Sequence, residues 1–288
     1  MKVLVLGATG SVGSAVVQTL LKGGASVAAL TRSAEKAKAL PAGVDARIGD
    51  LNDPYNVGAA FKGVDAVFLL NAVSSTETQE GLFALEWAKL QGVKKLVHLS
   101  VQHVDRVPHL PHFASKIVIE SAIKQSGLAY TILQPNNFYQ NDYWYKDAML
   151  QYGVYPQPLG SAGWDRVDIR DIADAAAKAL DGDAANGKTV ILAGPTSETG
   201  ASAAATWSTH LGKPIAYAGD DLEAWEQQNL QYLPPFMVFD FKMMYRWFQQ
   251  HSLTAAPGER EATEKLIGHP MRTFDGFVKE TAAMWQAS

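Results

Sequence analysis

Seven residues, Gly7-Ala8-Thr9-Gly10-Ser11-Val12-Gly13, stand between the apolar run Val3-Leu4-Val5-Leu6 and an apolar-periodic stretch through Ala15, Val16, Leu20 and Leu21. This pattern reads as a strand, a tight glycine turn and a helix N-terminus, and its natural chemistry is anion binding. Glycines let the backbone approach a diphosphate, while the first helical amides and the positive helix end face it. The expected contacts are Gly7, Thr9, Gly10, Ser11, Val12 and Gly13. The spacing G-x-x-G-x-x-G departs from the commoner G-x-G-x-x-G, so a turn that merely needs glycine is the plain alternative. A second constellation pairs His112 with Lys116, four residues apart on a predicted helix and therefore on one face. Imidazole exchanges protons near neutrality, whereas the commonest fate of a helix lysine is simple solvation.

Between these two groups lie residues suited to the rest of a dinucleotide. An acidic residue after the second strand would hydrogen-bond a free ribose 2′-hydroxyl and repel a 2′-phosphate. The chain has Thr31, Arg32 and Ser33 there instead. A guanidinium grips phosphate with two bonds and the hydroxyls add donors, so NADP(H) is the expected cofactor, with NAD(H) possible. Asp50 and Leu51 follow the third strand, placed to meet adenine through a carboxylate and an apolar side chain; capping the helix near Pro54 is an equal alternative for Asp50. Asn71, Ala72 and Val73 end the fourth strand and Ser100 the fifth, and ligands collect at strand carboxyl ends in open α/β sheets.

The elements that must position these groups follow from apolar patterning. Strand-like runs are predicted at residues 3–6, 26–30, 44–48, 66–70, 95–99 and 130–133, with helices at 12–22, 34–40, 54–61, 77–90 and 113–125. This alternation predicts an α/β fold, a doubly wound parallel sheet of Rossmann type. A helix over 168–180 and a strand over 189–193 complete it. Beyond residue 196 the chain is mainly helix-like, with a short strand candidate at 215–217 and an aromatic run at 236–248 that either packs against the main domain or lines a pocket. The expected organisation is a dinucleotide-binding core over 1–195, with residues about 136–165 contributing to a cleft, and a smaller substrate-binding or lid region over 196–288.

Composition narrows the function. The 288 residues are 47% hydrophobic and 19% charged, with a net charge of −4 and scattered Lys and Arg, so direct nucleic-acid binding is not expected. The absence of cysteine removes thiolate chemistry and disulfides. No apolar run reaches membrane-spanning length, and a cytoplasmic monomer or homodimer is expected. Asp168, Asp171 and Asp174 recur at helical spacing without a histidine-rich motif, so they read as an N-cap and a polar face and no metal site is expected. No G-x-S-x-G elbow supports hydrolysis.

The glycine turn, Thr31-Arg32, Gly49-Asp50, Leu99-Ser100, His112–Lys116, the run 126–135 and the run 167–173 together resemble the NmrA-like, atypical branch of the short-chain dehydrogenase/reductase superfamily. The resemblance implies a Rossmann-type core, a small helical C-terminal region and a cleft between them. Main-branch members carry Tyr-x-x-x-Lys, in which Lys holds the nicotinamide ribose and Tyr exchanges a proton at a carbonyl. Here Lys116 keeps the Lys position, His112 replaces Tyr, and Ser100 occupies the carbonyl-orienting Ser position. Similarity assigns Pro135, Asn136, Asn137 and Phe138 to the nicotinamide end. Gln102, His103, Tyr139, Tyr143 and Trp144 are the expected substrate-pocket residues, and their aromatic character suits a planar, quinone-like substrate as well as ordinary packing. The implied activity is NADPH-dependent hydride transfer to a small quinone-like or other carbonyl substrate. The alternative is a non-catalytic NADP(H)-sensing regulatory protein that binds a protein partner.

Overall fold

Strands rich in buried apolar residues alternate with helices along the first half of the chain, the pattern of a sheet covered on both faces. The computed structural model describes residues 1–287. The chain runs β1 (Lys2–Val5), α1 (Ser11–Lys22), β2 (Ser26–Thr31), α2 (Ala34–Lys38), β3 (Asp45–Ile48), α3 (Pro54–Val57), β4 (Ala66–Leu69), α4 (Glu77–Leu90), β5 (Lys95–Leu99), α5 (Pro111–Lys124) and β6 (Ala129–Pro135). It continues through α6 (Lys146–Tyr152), β7 (Val154–Tyr155), α7 (Ile169–Asp181), β8 (Lys188–Leu192), α8 (Gly200–Leu211), β9 (Ala216–Tyr217), α9 (Leu222–Asn229), α10 (Pro235–Gln250), α11 (Glu259–Ile267) and α12 (Phe274–Gln286).

Contacts divide these elements into two compact units that interleave along the chain. The first comprises Met1–Pro135, Ile169–Leu192 and Glu261–His269; the second comprises Asn136–Asp168, Ala193–Arg260 and the residues from Pro270 onward. In the first unit seven strands form one sheet in the order β3-β2-β1-β4-β5-β6-β8, and every pairing is parallel. The sheet winds outward in both directions from β1 and β4. That is the doubly wound, Rossmann-type topology, and its switch point lies between the carboxyl ends of those two strands. Helices α1 and α7 pack on each other, as do α4 and α5. One core cluster joins Leu4, Leu6, Val67, Leu69 and Leu96 of the strands to Ala84, Ala88, Ile119 and Ile123 of α4 and α5.

The edge strand β3 is protected by charge. Arg47 donates to the carbonyls of Ala60 and Lys62 at 2.6 and 2.8 Å and to Asp45, which also binds Lys2. Such side chains leave little apolar edge for another strand to join.

The second unit is built on aromatic packing and a short parallel pair, β7 with β9. Trp207 of α8 stacks on Trp285 of α12 at 4.8 Å, and Trp164 packs on Phe248 of α10 at 4.8 Å. The aromatic run at 236–248 is helix α10. Val238, Tyr245 and Phe248 face its interior side, and Phe236 and Phe239 are exposed.

Candidate functional site

The glycine turn has the geometry that its residue types require. Gly7 lies in the left-handed region at φ 67°, and a Cβ on Gly13 would sit 2.1 Å from the Gly7 carbonyl oxygen. Only glycine fits either place, so α1 starts directly against the end of β1. Gly10 caps α1 without a side chain, and the first turn carries no acidic residue. The positive helix end is therefore left uncompensated beside the exposed Gly7, Thr9, Gly10 and Ser11, while Val12 is buried.

Around this turn, buried polar atoms lack protein partners. Among the described residues, Thr31 Oγ1 at the end of β2, Asn71 Oδ1 and Nδ2 after β4, and Ser100 Oγ after β5 have no hydrogen-bond partner. Their residues are 4 to 5% exposed. Buried polar groups in native proteins are nearly always satisfied, so a row of such atoms at one edge of a parallel sheet marks a place built for a polar ligand. A dinucleotide lying over the switch point fits these donors and acceptors.

The neighbouring expected residues are placed as follows. Arg32 is exposed. Ser33 caps α2 by accepting from the Lys36 amide at 3.2 Å, which leaves its hydroxyl hydrogen available. Asp50 accepts from the Asn52 amide at 3.0 Å, and the helix near Pro54 has Asp53 at its N-cap instead. Leu51 belongs to the core cluster, Ala72 is exposed and Val73 half-buried.

His112 and Lys116 project from α5 into the protein, not into solvent, at 8% and 7% exposure. Lys116 Nζ donates to Glu77 Oε1 of α4 at 2.5 Å. The two helices can approach this closely because of Gly81, four residues after Glu77, where a Cβ would meet Ile119 Cδ1 at 2.5 Å. A mid-helix glycine costs about 1 kcal/mol, and here it lets the pair one turn away form. Burial pushes the Glu77 carboxyl up, against the pull of the Lys116 ammonium and the His112 side chain. His98 of β5 is fully buried and its Nδ1 donates to the Leu69 carbonyl at 3.2 Å. Burial, reinforced by the Lys116 charge, holds His98 down at about 3.

Sequence reasoning did not nominate Glu77 or His98. Glu77 is indistinguishable in sequence from any acidic residue in the first turn of a helix, and only burial reveals it.

Gln102 is buried and its amide donates to the Pro135 carbonyl at 2.9 Å. His103 holds a left-handed backbone at φ 49°, and its amide donates to Gln134 Oε1 at 3.1 Å. A non-glycine residue in that region stores strain, a frequent property of ligand-facing turns.

In the second unit, Asn136 is buried and donates to the Leu253 carbonyl at 2.7 Å, Asn137 Oδ1 accepts from Arg166 at 3.1 Å, and the Phe138 carbonyl accepts from Arg166 at 2.9 Å. Tyr139 is fully buried between Phe274 and Phe277, Tyr143 packs edgewise on Trp285 while 44% exposed, and Trp144 is 72% exposed. The Arg166–Asp142 pair beneath them was not anticipated. Its two members lie 24 residues apart with no periodic relation. Burial works against the Arg166 charge, but the Asp142 carboxylate outweighs it and raises the guanidinium above its ordinary value.

Asp168 directly precedes α7, is fully buried and accepts from Gln140 at 2.9 Å, while Asp171 is buried and Asp174 half-buried. Ligand atoms of Asp171, Asp174 and His269 lie within 4.8 Å of one another, with His269 Nε2 3.1 Å from Asp174.

Fold and site together define a Rossmann-type α/β protein with a ligand edge at its switch point. Residues 1–278 match the model of the NmrA-like family, and the chain belongs to that family. Over 99% of this chain and all of the relative, it is 32% identical to an NAD(P)H azoreductase of Xenophilus azovorans. It is 30% identical to quinone oxidoreductase 2 of Escherichia coli over 75% of this chain and 76% of that protein. The crystal structure of an NADPH-dependent quinone oxidoreductase from Escherichia coli complexed with NADPH superposes with a TM-score of 0.85, at 25% identity, covering 98% of this chain and 99% of that one.

Among the described residues, no helix is long and apolar enough to cross a membrane.

Proposed function

We propose that the protein is an NADPH-dependent reductase acting on a small planar acceptor of the quinone type. The observation that carries this reading is the row of unpartnered buried polar atoms on Thr31, Asn71 and Ser100 beside the glycine turn. Similarity to an azoreductase and to a quinone oxidoreductase supports it. When bound, the reduced dinucleotide supplies a hydride, and with one added proton a quinone becomes a hydroquinone and NADP⁺ remains.

In this reading the Gly7–Gly13 backbone receives the diphosphate, and Arg32, with Thr31 and Ser33, binds the 2′-phosphate. Asp50 meets the adenine amino group. Asn71, Ala72 and Val73 lie along the cofactor, Lys116 holds the nicotinamide ribose, and Ser100 orients the acceptor oxygen. His112, one helical turn from Lys116, is the candidate proton donor. A quinone relaxes the demand on that donor because the reduced oxygen is itself comparatively acidic.

The test combines two measurements on purified protein: equilibrium binding of NADPH and NADH, and oxidation of each in the presence of quinones, azo compounds, aldehydes, ketones and enones. Saturable NADPH binding with quinone-dependent oxidation is expected. Binding without turnover on any acceptor class would transfer the chain to the dinucleotide-sensing alternative. Partner association that changes with the redox form of the ligand would then be the property to measure.

A further inference from the structure

Lys116 does not present an isolated charge. Its ammonium is bound to Glu77, and both side chains are buried within the first unit. The second carboxylate oxygen, Glu77 Oε2, has no hydrogen-bond partner among the described residues. A carboxylate serving only as a structural anchor gains by filling both oxygens, and an unfilled one inside a protein asks for an explanation. Among the described residues, His112 on α5, Glu80 on α4 and His98 on β5 also interact electrostatically with one member of the pair. Glu80 Oε1 already accepts from Asn52, Ser74 and Thr76, and His98 is held neutral. Glu77 is therefore the carboxylate that offsets the Lys116 charge.

We infer that Glu77 is a specificity-determining residue: by neutralising Lys116 it sets how far the site distinguishes the reduced dinucleotide from the oxidised one. The inference rests on the proposed contact between Lys116 and the nicotinamide end. The reduced ring is neutral and the oxidised ring carries one positive charge. A bare ammonium a few ångström away repels the oxidised form and leaves the reduced form nearly unaffected, whereas a neutral ion pair acts only as a dipole. With Glu77 in place both forms compete for the site, and its occupancy follows the ratio of reduced to oxidised dinucleotide. A purely structural pair would instead weaken both forms alike when broken.

The experiment measures equilibrium dissociation constants for NADPH and NADP⁺ at pH 6.5 in the wild type, Glu77→Gln and the double variant Glu77→Gln/Lys116→Met. The Kd ratio of NADP⁺ to NADPH is expected to rise about tenfold or more in Glu77→Gln, the scale of an uncompensated charge at short range. It should return to within about threefold of wild type in the double variant, where the lone charge is gone. An unchanged ratio in Glu77→Gln, or a double variant that keeps the shifted ratio, overturns the inference while saturable wild-type binding leaves the dinucleotide reading intact. Wild-type protein that binds neither form removes that reading and the inference with it. Should Glu77→Gln fail to fold, Lys116→Met measured at pH 8 is expected to move the ratio the opposite way, and no movement there is equally fatal.

Discussion

Among the described residues, each unit holds an ion pair with both side chains buried, and the two are built on different plans. In the second unit Asp142 receives Arg166 at 2.6 Å, Tyr155 at 3.0 Å and Trp207 at 2.8 Å, so both of its oxygens are used. Arg166 in turn donates to Asn137 and Phe138. In the first unit Glu77 receives Lys116 on one oxygen and, among the described residues, nothing on the other, while Thr31, Asn71 and Ser100 at the strand ends also keep unpartnered atoms. A closed network ties segments together and has nothing left to offer a ligand. An open one leaves desolvated donors and acceptors in place, at a cost to stability, for something that arrives later.

The widest test of this contrast is Asp142→Asn. Removing the charge opposite a fully buried guanidinium is expected to cost about 3–5 kcal/mol in urea unfolding followed by tryptophan fluorescence. A loss below about 1 kcal/mol would mean that the closed network is no more structural than the open one.

Acid titration probes the open side next. His98 is held at about 3 when folded, against 6.5 when free, so the unfolded chain binds the extra proton between those values. Its contribution to stability is complete above pH 6.5 and is lost as pH falls below it, by about 1.4 kcal/mol per unit. Between pH 6.5 and 5 this amounts to about 2 kcal/mol. His98→Leu should flatten that limb. The raised Glu77 carboxyl works in the opposite sense, its folded form losing stability as pH rises above 4.5, so the difference between wild type and variant isolates the histidine.

A binding experiment sharpens the comparison further. Arg32→Asp is expected to weaken NADPH binding by about tenfold or more and NADH binding by less than about threefold, because only one ligand carries the phosphate that the new carboxylate repels. Equal losses would detach Arg32 from the 2′-phosphate.

The smallest effect is the most diagnostic of an open site. Thr31→Val should stabilise the ligand-free protein by about 0.5–1 kcal/mol, since it removes a buried hydroxyl with no partner, and should weaken NADPH binding at the same time. Differential scanning calorimetry with and without NADPH reads both signs. A destabilised apoprotein would show that the hydroxyl has a structural use.

The sheet was legible in the sequence almost to the residue, and the ion pairs were not. Parallel strands buried on both faces are continuous apolar runs, so 95–99 coincides with β5 and 189–193 falls one residue from β8. The glycine turn was equally readable because sterics at Gly7 and Gly13 admit no other residue. Burial of charged groups leaves no such trace. Lys116 had to be weighed against a solvated lysine, Glu77 looked like any first-turn acid, and Asp142 and Arg166 meet only through the tertiary fold. The two-residue strand β7 lay within a Gly- and Pro-rich stretch where periodicity has too few residues to register. The chain also returns to its first unit for Glu261–His269, a step that no shift in composition marks.

That return has a consequence for how the protein is made. The chain passes between its units after residues 135, 168, 192, 260 and 269, and the edge strand β8 emerges only after the first stretch of the second unit has been synthesised. The ribosome therefore cannot deliver a finished sheet before most of the polypeptide is out, and neither unit can be excised as one uninterrupted fragment. Early termination anywhere before His269 would release an incomplete first unit, with its β6 edge open to neighbouring chains whenever β8 is missing.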